Sequence, residues 1–281
     1  MSHTRAELGS RFSTAFVTGA SGGLGRAFCE CLLSEGVDVW GTARAPERLG
    51  IWPGPGRFTA VKLDLNDRRG SEAAFAAASQ AAGGAFDLVI HNAGYGLFGA
   101  FEQVAVDQWE AQLQAMVVTT MRLNHAALNQ FRSRTPAGGT LVNVSSLAVE
   151  FPLPYLSGYN VAKAALSALS ESLIFETRGS GVTVIDFRPG DYRTSFNQAM
   201  STLAASPDPL LQPYWRTLEA NLDAAPAPAR AAQDLRRALL RGHSGTVRSG
   251  SFFQASLAPL LASLVPASWR RRVQRWYFGG R

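Results

Sequence analysis

Tyr159-Asn160-Val161-Ala162-Lys163 sets a phenol and an amine four residues apart. On a helix that spacing puts both side chains on one face, one turn from each other. A phenol titrates at about pH 10 and exchanges its proton poorly at neutrality. A neighbouring ammonium favours the phenolate and lowers that value. The pair is therefore a candidate general acid/base, Tyr159 passing the proton and Lys163 tuning it; taken alone, the same spacing also occurs in ordinary helices. Ser145 and Ser146 follow the apolar run Leu141-Val142-Asn143-Val144. A hydroxyl at a strand end either hydrogen-bonds a carbonyl oxygen or caps the next turn. No GxSxG elbow surrounds the pair, and no histidine is placed to activate a nucleophilic serine.

A second chemical stretch, Thr18-Gly19-Ala20-Ser21-Gly22-Gly23-Leu24-Gly25, follows Ala15-Phe16-Val17 and opens a helical segment. It is either a bare turn or a phosphate cradle, because small residues before a helix expose backbone N–H groups to an anion. About 20 residues on, dinucleotide-binding folds often carry an acid for the ribose 2′-OH. Here the sequence reads Trp40-Gly41-Thr42-Ala43-Arg44, with a guanidinium and no acid. That favours a 2′-phosphate, hence NADPH over NADH, unless Arg44 is simply a surface residue.

The elements that must hold these groups alternate. Strands are expected at Ala15–Val17, 37–42, 58–63, 86–90, 139–144 and 182–187. Helices are expected at 24–34, 71–82, 106 to about 132, and 158–177. Such alternation implies βαβ units, and the near-continuous apolar strands fit a parallel sheet covered on both faces. The glycine turn, Arg44, Asp64, His91-Asn92-Ala93-Gly94, the serine pair and Arg188-Pro189-Gly190 all fall at the carboxyl ends of strands, where ligands bind in doubly wound sheets.

The chain has 281 residues, 46% of them hydrophobic, enough for a substantial core. Its net charge of +6 favours anionic partners without choosing among them. No nucleic-acid motif is present, and the arginines crowd one tail, so no nucleic acid is expected. Cys29 and Cys31 would point to different sides of a helix, which argues for core packing and against a disulfide framework. Four scattered histidines give no metal-ligand spacing, so no metal is expected. The first residues hold no apolar signal core and no run is long enough to span a bilayer, which leads to a cytoplasmic expectation.

Taken together, the glycine stretch, Asp64, His91-Asn92-Ala93-Gly94, Ser146, the Tyr159–Lys163 pair and Arg188-Pro189-Gly190-Asp191-Tyr192-Arg193-Thr194 resemble the classical short-chain dehydrogenase/reductase family, from about residue 12 to residue 196. The adjacent Gly22 and Gly23 also fit the family's extended type, but chain length and the Arg-Pro-Gly position favour the classical one. The resemblance implies that Gly19, Ser21, Gly23, Leu24 and Gly25 hold the pyrophosphate and adjoining ribose. Asp64 and Leu65 would flank the adenine, and Asn92, Ala93 and Gly94 would line the cofactor cleft. Ser146 would bind the substrate oxygen. Lys163 would hold the nicotinamide ribose and lower the Tyr159 pKa. Pro189, Gly190, Tyr192 and Thr194 would cover the nicotinamide. It also implies dimers or tetramers built through the helices at 106–132 and 158–177.

One position departs from the resemblance. The family's helix asparagine, which supports a water leading away from the lysine, falls at Met116 in this chain. A thioether cannot replace an amide's hydrogen bonds. The backbone carbonyl at 116 could still hold the water, or the register could differ by a turn.

The expected organisation is a Rossmann-type doubly wound parallel sheet at 12–250, with a substrate lid at about 195–230 and an amphipathic basic extension at 251–281. Phe196, Met200, Leu203, Leu210, Leu211, Tyr214 and Trp215, with Phe98, Phe101 and Phe151, either line an apolar pocket or pack as core. Residues 268–278 fit either an anionic membrane surface or a subunit contact. The expected function is an NADP(H)-dependent carbonyl reductase for an apolar small molecule; the competing expectation, raised by Met116, is a nucleotide-binding regulator of the same fold.

Overall fold

Short runs rich in Val, Ile, Phe and Thr alternate with Ala- and Leu-rich segments along the chain, and the first kind becomes strand because branched and aromatic side chains suit a pleated surface. The structure is a computed structural model and describes residues 7–194, 200, 209, 211–251, 255 and 272. Its strands are β1 (Thr14–Val17), β2 (Asp38–Ala43), β3 (Phe58–Lys62), β4 (Leu88–His91), β5 (Gly139–Val144), β6 (Val182–Pro189) and β7 (Gly245–Ser249). All pair in parallel, in the order β3-β2-β1-β4-β5-β6-β7. The order reverses between β1 and β4, and that switch point opens a crevice beyond the carboxyl ends of the strands.

The helices are α1 (Gly23–Ser34), α2 (Arg68–Ala81), α3 (Val106–Leu113), α4 (Thr120–Ser133), α5 (Ser157–Glu176), α6 (Gln212–Asp223) and α7 (Pro228–Arg241). Phe28, Leu32, Leu235 and Leu239 of α1 and α7 cover one sheet face, packing on Val17, Val142 and Phe187. Phe75, Leu123, Phe131 and Leu173 of α2, α4 and α5 cover the other, packing on Phe16, Val89 and Leu141. Phe16 meets Phe75 edge-on with ring centroids 5.0 Å apart. Burying each such side chain contributes about 2 kcal/mol.

The six expected strands are present, their ends within two residues of expectation. A seventh, β7, extends the sheet at an edge: Gly245–Ser249 has a single apolar residue, Val247, and its place comes from pairing with β6. The expected helix at 106–132 contains a π turn at Gln114–Thr119 between α3 and α4. Two further helices are present: α6 lies within the stretch expected to be a lid, and α7 begins near its end and runs on to Arg241. α7 starts with Pro228 and stops at Gly242, whose φ of +66° suits glycine. Cys29 and Cys31 are free thiols, the first buried and the second half-buried. Among the described residues no helix is long and apolar enough to cross a membrane. The segments 195–199, 201–208, 210 and most of 252–281 lie outside the described residues, and with them Phe196, Leu203, Leu210 and most of the amphipathic stretch 268–278.

Candidate active site

The glycine stretch lies between β1 and α1. Gly19 and Gly23 have φ of +74° and +55°, a region that side chains disfavour. A Cβ on Gly25 would stand 2.1 Å from the Gly19 carbonyl oxygen and 2.5 Å from Asn92 Nδ2, so only glycine lets α1 start this close to the loop. The N-terminus of α1 has no side-chain cap and no acidic residue in its first turn. Its N–H groups and helix dipole thus meet no competing anion, and a dinucleotide pyrophosphate fits there. Ser21 is exposed at this corner and Leu24 is half-buried.

Thr18 organises the loop. Its hydroxyl accepts from the Asn92 and Ala93 N–H groups at 2.9 and 3.0 Å. Asn92 Nδ2 donates to the Thr18 carbonyl at 3.0 Å, tying β1 to β4. Asn92 therefore spends its amide on holding the loop. Gly94 is exposed beside the crevice.

Arg44 is exposed directly after β2, and Asp64 is exposed after β3. Asp64 accepts from the Asn66 N–H at 3.0 Å, and Thr119 in the π turn donates to the Leu65 carbonyl at 2.7 Å. Burial pushes the Tyr95 phenol up, with Arg44 opposing and Asp64 adding. Tyr95 thus sits within the field of both, a neighbour that none of the sequence motifs includes.

Ser146, Tyr159 and Lys163 come together. The Ser146 and Tyr159 hydroxyls are hydrogen-bonded to each other. Ser146 also accepts from the Ala148 N–H at 3.0 Å, so it caps the following turn as well as facing the phenol. Lys163 Nζ donates to the Val144 carbonyl at 2.6 Å and stands 5.7 Å from the Tyr159 ring centroid. The neighbouring Ser145 is used differently: its hydroxyl donates to Asp186.

The electrostatics correct one expectation. Tyr159 is not lowered by the ammonium; burial pushes it up to about 12, opposed by the Ser146 hydrogen bond and reinforced by Asp191. Desolvation is the largest cause, and the lysine's own charge is weakened. Burial lowers Lys163 to about 8, with the Asp186 charge opposing. Met116 lies in the π turn, 1% exposed. A Cβ on Gly94 would come 3.1 Å from Met116 Cε and 3.6 Å from Lys163 Nζ, so the thioether and the ammonium border the same small space.

A second correction concerns Tyr192. Its side chain is 3% exposed, packs in the cluster under α1 and α7, and its hydroxyl lies 2.6 Å from Ser249 Oγ. Only its backbone remains for the crevice, because the apolar ring gains more from the core. Pro189 is buried, and the Gly190 N–H donates to the Ser249 carbonyl at 2.7 Å. Thr194 reaches the glycine loop: a Cβ on Gly23 would stand 3.3 Å from Thr194 Cβ.

Phe98, Leu156, Met200, Leu211, Leu218 and Leu222 form an apolar cluster against which Tyr155, Tyr159, Tyr214 and Trp215 pack. It brings together Phe98, Met200, Leu211, Tyr214 and Trp215 as the sequence grouped them. Phe101 stays outside, exposed and tilted against Trp109; Phe151 is half-buried and not in the cluster. Tyr155, with φ of +61°, joins the cluster although nothing in the local sequence marks it.

The family described as short chain dehydrogenase matches residues 13–203. An uncharacterized oxidoreductase of Schizosaccharomyces pombe is 33% identical over 214 residues, covering 73% of this chain and 71% of that protein. A short-chain dehydrogenase from Streptomyces avermitilis superposes with a TM-score of 0.75 at 27% identity, covering 98% of this chain and 97% of the other. One from Burkholderia cenocepacia, in complex with NADP, gives 0.66 at 25% identity, covering 90% and 98%. One from Burkholderia phymatum, in complex with NAD, gives 0.73 at 22% identity, covering 96% and 95%, a likeness of fold.

Proposed function

This chain belongs to the short-chain dehydrogenase family of oxidoreductases, and from that premise we propose that it is an NADPH-dependent reductase of a carbonyl group on an apolar small molecule. The observation that carries the reading is the convergence of Ser146, Tyr159 and Lys163 beyond the carboxyl end of β5, with Gly94 after β4 beside the amine and an uncapped helix N-terminus after β1. Arg44 directly after β2, with no carboxylate from Trp40 to Arg44, supports the 2′-phosphate form of the cofactor. The apolar cluster packed on Tyr159 supports a hydrophobic substrate.

The residues that would hold the dinucleotide are Gly19, Ser21, Gly23, Leu24 and Gly25 at the pyrophosphate, Arg44, Asp64 and Leu65 at the adenosine end, and Asn92, Ala93, Gly94 and Lys163 along the cleft. Pro189, Gly190, Thr194 and the backbone of Tyr192 would border the nicotinamide. When bound, that group supplies a hydride to the carbonyl carbon. Ser146 donates a hydrogen bond to the carbonyl oxygen and orients it. The Tyr159 hydroxyl, protonated at neutral pH, gives its proton to the same oxygen as the alcohol forms. Lys163 holds the ribose and places positive charge near the phenolate left behind. The apolar cluster excludes water from the phenol. Val118, Met121, Val161 and Phe175, exposed on the π turn, α4 and α5, support self-association of two copies through these helices.

The test is a panel of ketones and aldehydes of increasing apolar size, followed by NADPH absorbance. Turnover is expected for apolar members, and Tyr159→Phe is expected to lose at least about 1,000-fold in kcat while NADPH affinity stays within a few-fold. NADPH uptake without turnover of any carbonyl would instead favour the regulator reading that Met116 motivates. Failure to take up NADPH would end both.

A further inference from the structure

Lys163 has contrasting surroundings on its two sides. Toward the crevice it meets Gly94 and the Met116 thioether, whose sulfur is only a weak acceptor for an ammonium. Toward the sheet it meets the Val144 carbonyl, and behind that lies a buried acid. Asp186 on β6 is fully buried. Its Oδ2 accepts from Ser167 Oγ at 2.8 Å and from Arg188 Nε at 2.8 Å, and its Oδ1 accepts from Ser145 Oγ. Ser145 directly follows the residue whose carbonyl seats Lys163. Ser167 is one turn beyond Lys163 on α5. The carboxylate is thus bonded to both pieces of chain that fix the amine, the end of β5 and the first half of α5.

The charges around it are uneven. Arg188 pairs with Asp186, with Glu150 at 2.9 Å and with Glu171 at 3.3 Å. Arg248 on β7 pairs with Glu150 at 2.7 Å. Three carboxylates therefore face two guanidiniums, and Asp186 is the one on the lysine's side of the group. His91, aligned with Asn143 and through it with Asp186 across the sheet, is held neutral by burial and adds no charge. Tyr159, on the lysine's own helix, is likewise neutral near pH 7.

We infer that Asp186 is a positioning residue that keeps the Lys163 ammonium charged and seated on the Val144 carbonyl, in a chain whose position 116 offers it no polar side chain. A buried ammonium without an anion is costly; Arg188 pairs with Asp186 directly, and the same carboxylate is the buried negative charge that acts on Lys163. Arg188, Glu150 and Glu171 hold Asp186 in place from behind, and Ser145 and Ser167 set its direction. The inference rests on the reductase reading only in that Lys163 is taken to work as a cation.

The measurement is direct, because the chain has only two lysines, Lys62 and Lys163. Labelling lysine at Nζ with nitrogen-15 gives two signals to follow against pH, and Lys62→Arg assigns them. The Lys163 midpoint is expected to fall by about one pH unit or more in Asp186→Asn, and to be largely restored in Asp186→Glu. An unchanged midpoint in a folded Asp186→Asn protein overturns the inference. If that variant does not fold, Ser167→Ala, which releases the carboxylate from the lysine's helix and leaves its charge and the Arg188 pair in place, is followed instead; a smaller fall in the same direction is expected, and an unchanged midpoint overturns the inference. The titration needs no substrate or cofactor. A midpoint that shifts as expected in a protein that takes up no NADPH overturns only the reductase reading.

Discussion

The two halves of the crevice are built from different materials. The half between β1 and α1 is made of backbone: glycines at positive φ, an uncapped helix N-terminus, and a Thr18 hydroxyl holding two N–H groups. The half above β4, β5 and β6 is made of buried side chains: Lys163, His91, Asn143 and Asp186, all under 5% exposed, under a phenol pushed up to about 12. The first half is fixed by geometry, and at Gly19 and Gly25 it excludes any atom beyond Cα. The second works by charge in a low-dielectric interior, where each polar group must find a partner or change its protonation. Perturbed titration is therefore expected in the second half, and steric intolerance in the first.

That contrast can be broken in three places. The largest effect is expected from Gly25→Ala, whose Cβ would meet the Gly19 carbonyl at 2.1 Å. The loop must shift, costing about 1–3 kcal/mol of stability and more than about 100-fold in NADPH affinity. Thermal melts and fluorescence titration read both; affinity within threefold of the parent would show that the loop is not a close-fitting cradle.

Arg44→Asp comes next. It leaves the glycine cradle untouched and changes only the charge at the end of β2. The NADPH-to-NADH preference is expected to fall by about 10- to 100-fold, since a guanidinium–phosphate contact becomes a repulsion. Paired titrations with the two cofactors check it, and an unaltered ratio would remove Arg44 from the site.

The smallest effect at neutral pH is expected from His91→Leu. His91 is held down to about 3 by burial, whereas in the unfolded chain it titrates near 6.5. Between those values the unfolded chain binds a proton that the folded one refuses, so stability falls as pH descends from about 6.5 toward 3. Above that window the term vanishes. Urea melts from pH 7 to 4 are expected to lose about one proton of pH dependence in the variant. An identical slope would place the acid sensitivity elsewhere, with the paired carboxylates as the next group to test.

The same contrast explains which parts of the molecule are legible in the chain. β1 to β6 and the glycine loop are legible because each is specified by a contiguous stretch: apolar runs for the strands, and small residues for a turn that tolerates nothing else. The Tyr159–Lys163 pair is legible because helical spacing is local. β7 is not, since a lone Val247 gives no strand signal until β6 supplies its ladder. α7 is not among the expected helices, although Pro228, Gly242 and the buried set Ala231, Ala232, Leu235, Ala238 and Leu239 give it clear ends and a face. The π turn at Gln114–Thr119 has no local mark; Thr119 is held by the Leu65 carbonyl, 54 residues away.

By itself the sequence determined the alternating strand and helix order, the close glycine turn at Gly19–Gly25 and the spacing that pairs Tyr159 with Lys163, because those depend on residues near one another in the chain. Only the tertiary structure decided how the chemical groups are charged. It raised Tyr159 where a lowered value was expected, turned the Tyr192 ring into the core, separated Ser145 from Ser146 in role, and set Asp186 behind Lys163. The physical reason is that burial and long-range neighbours, which no spacing rule contains, control the cost of charge.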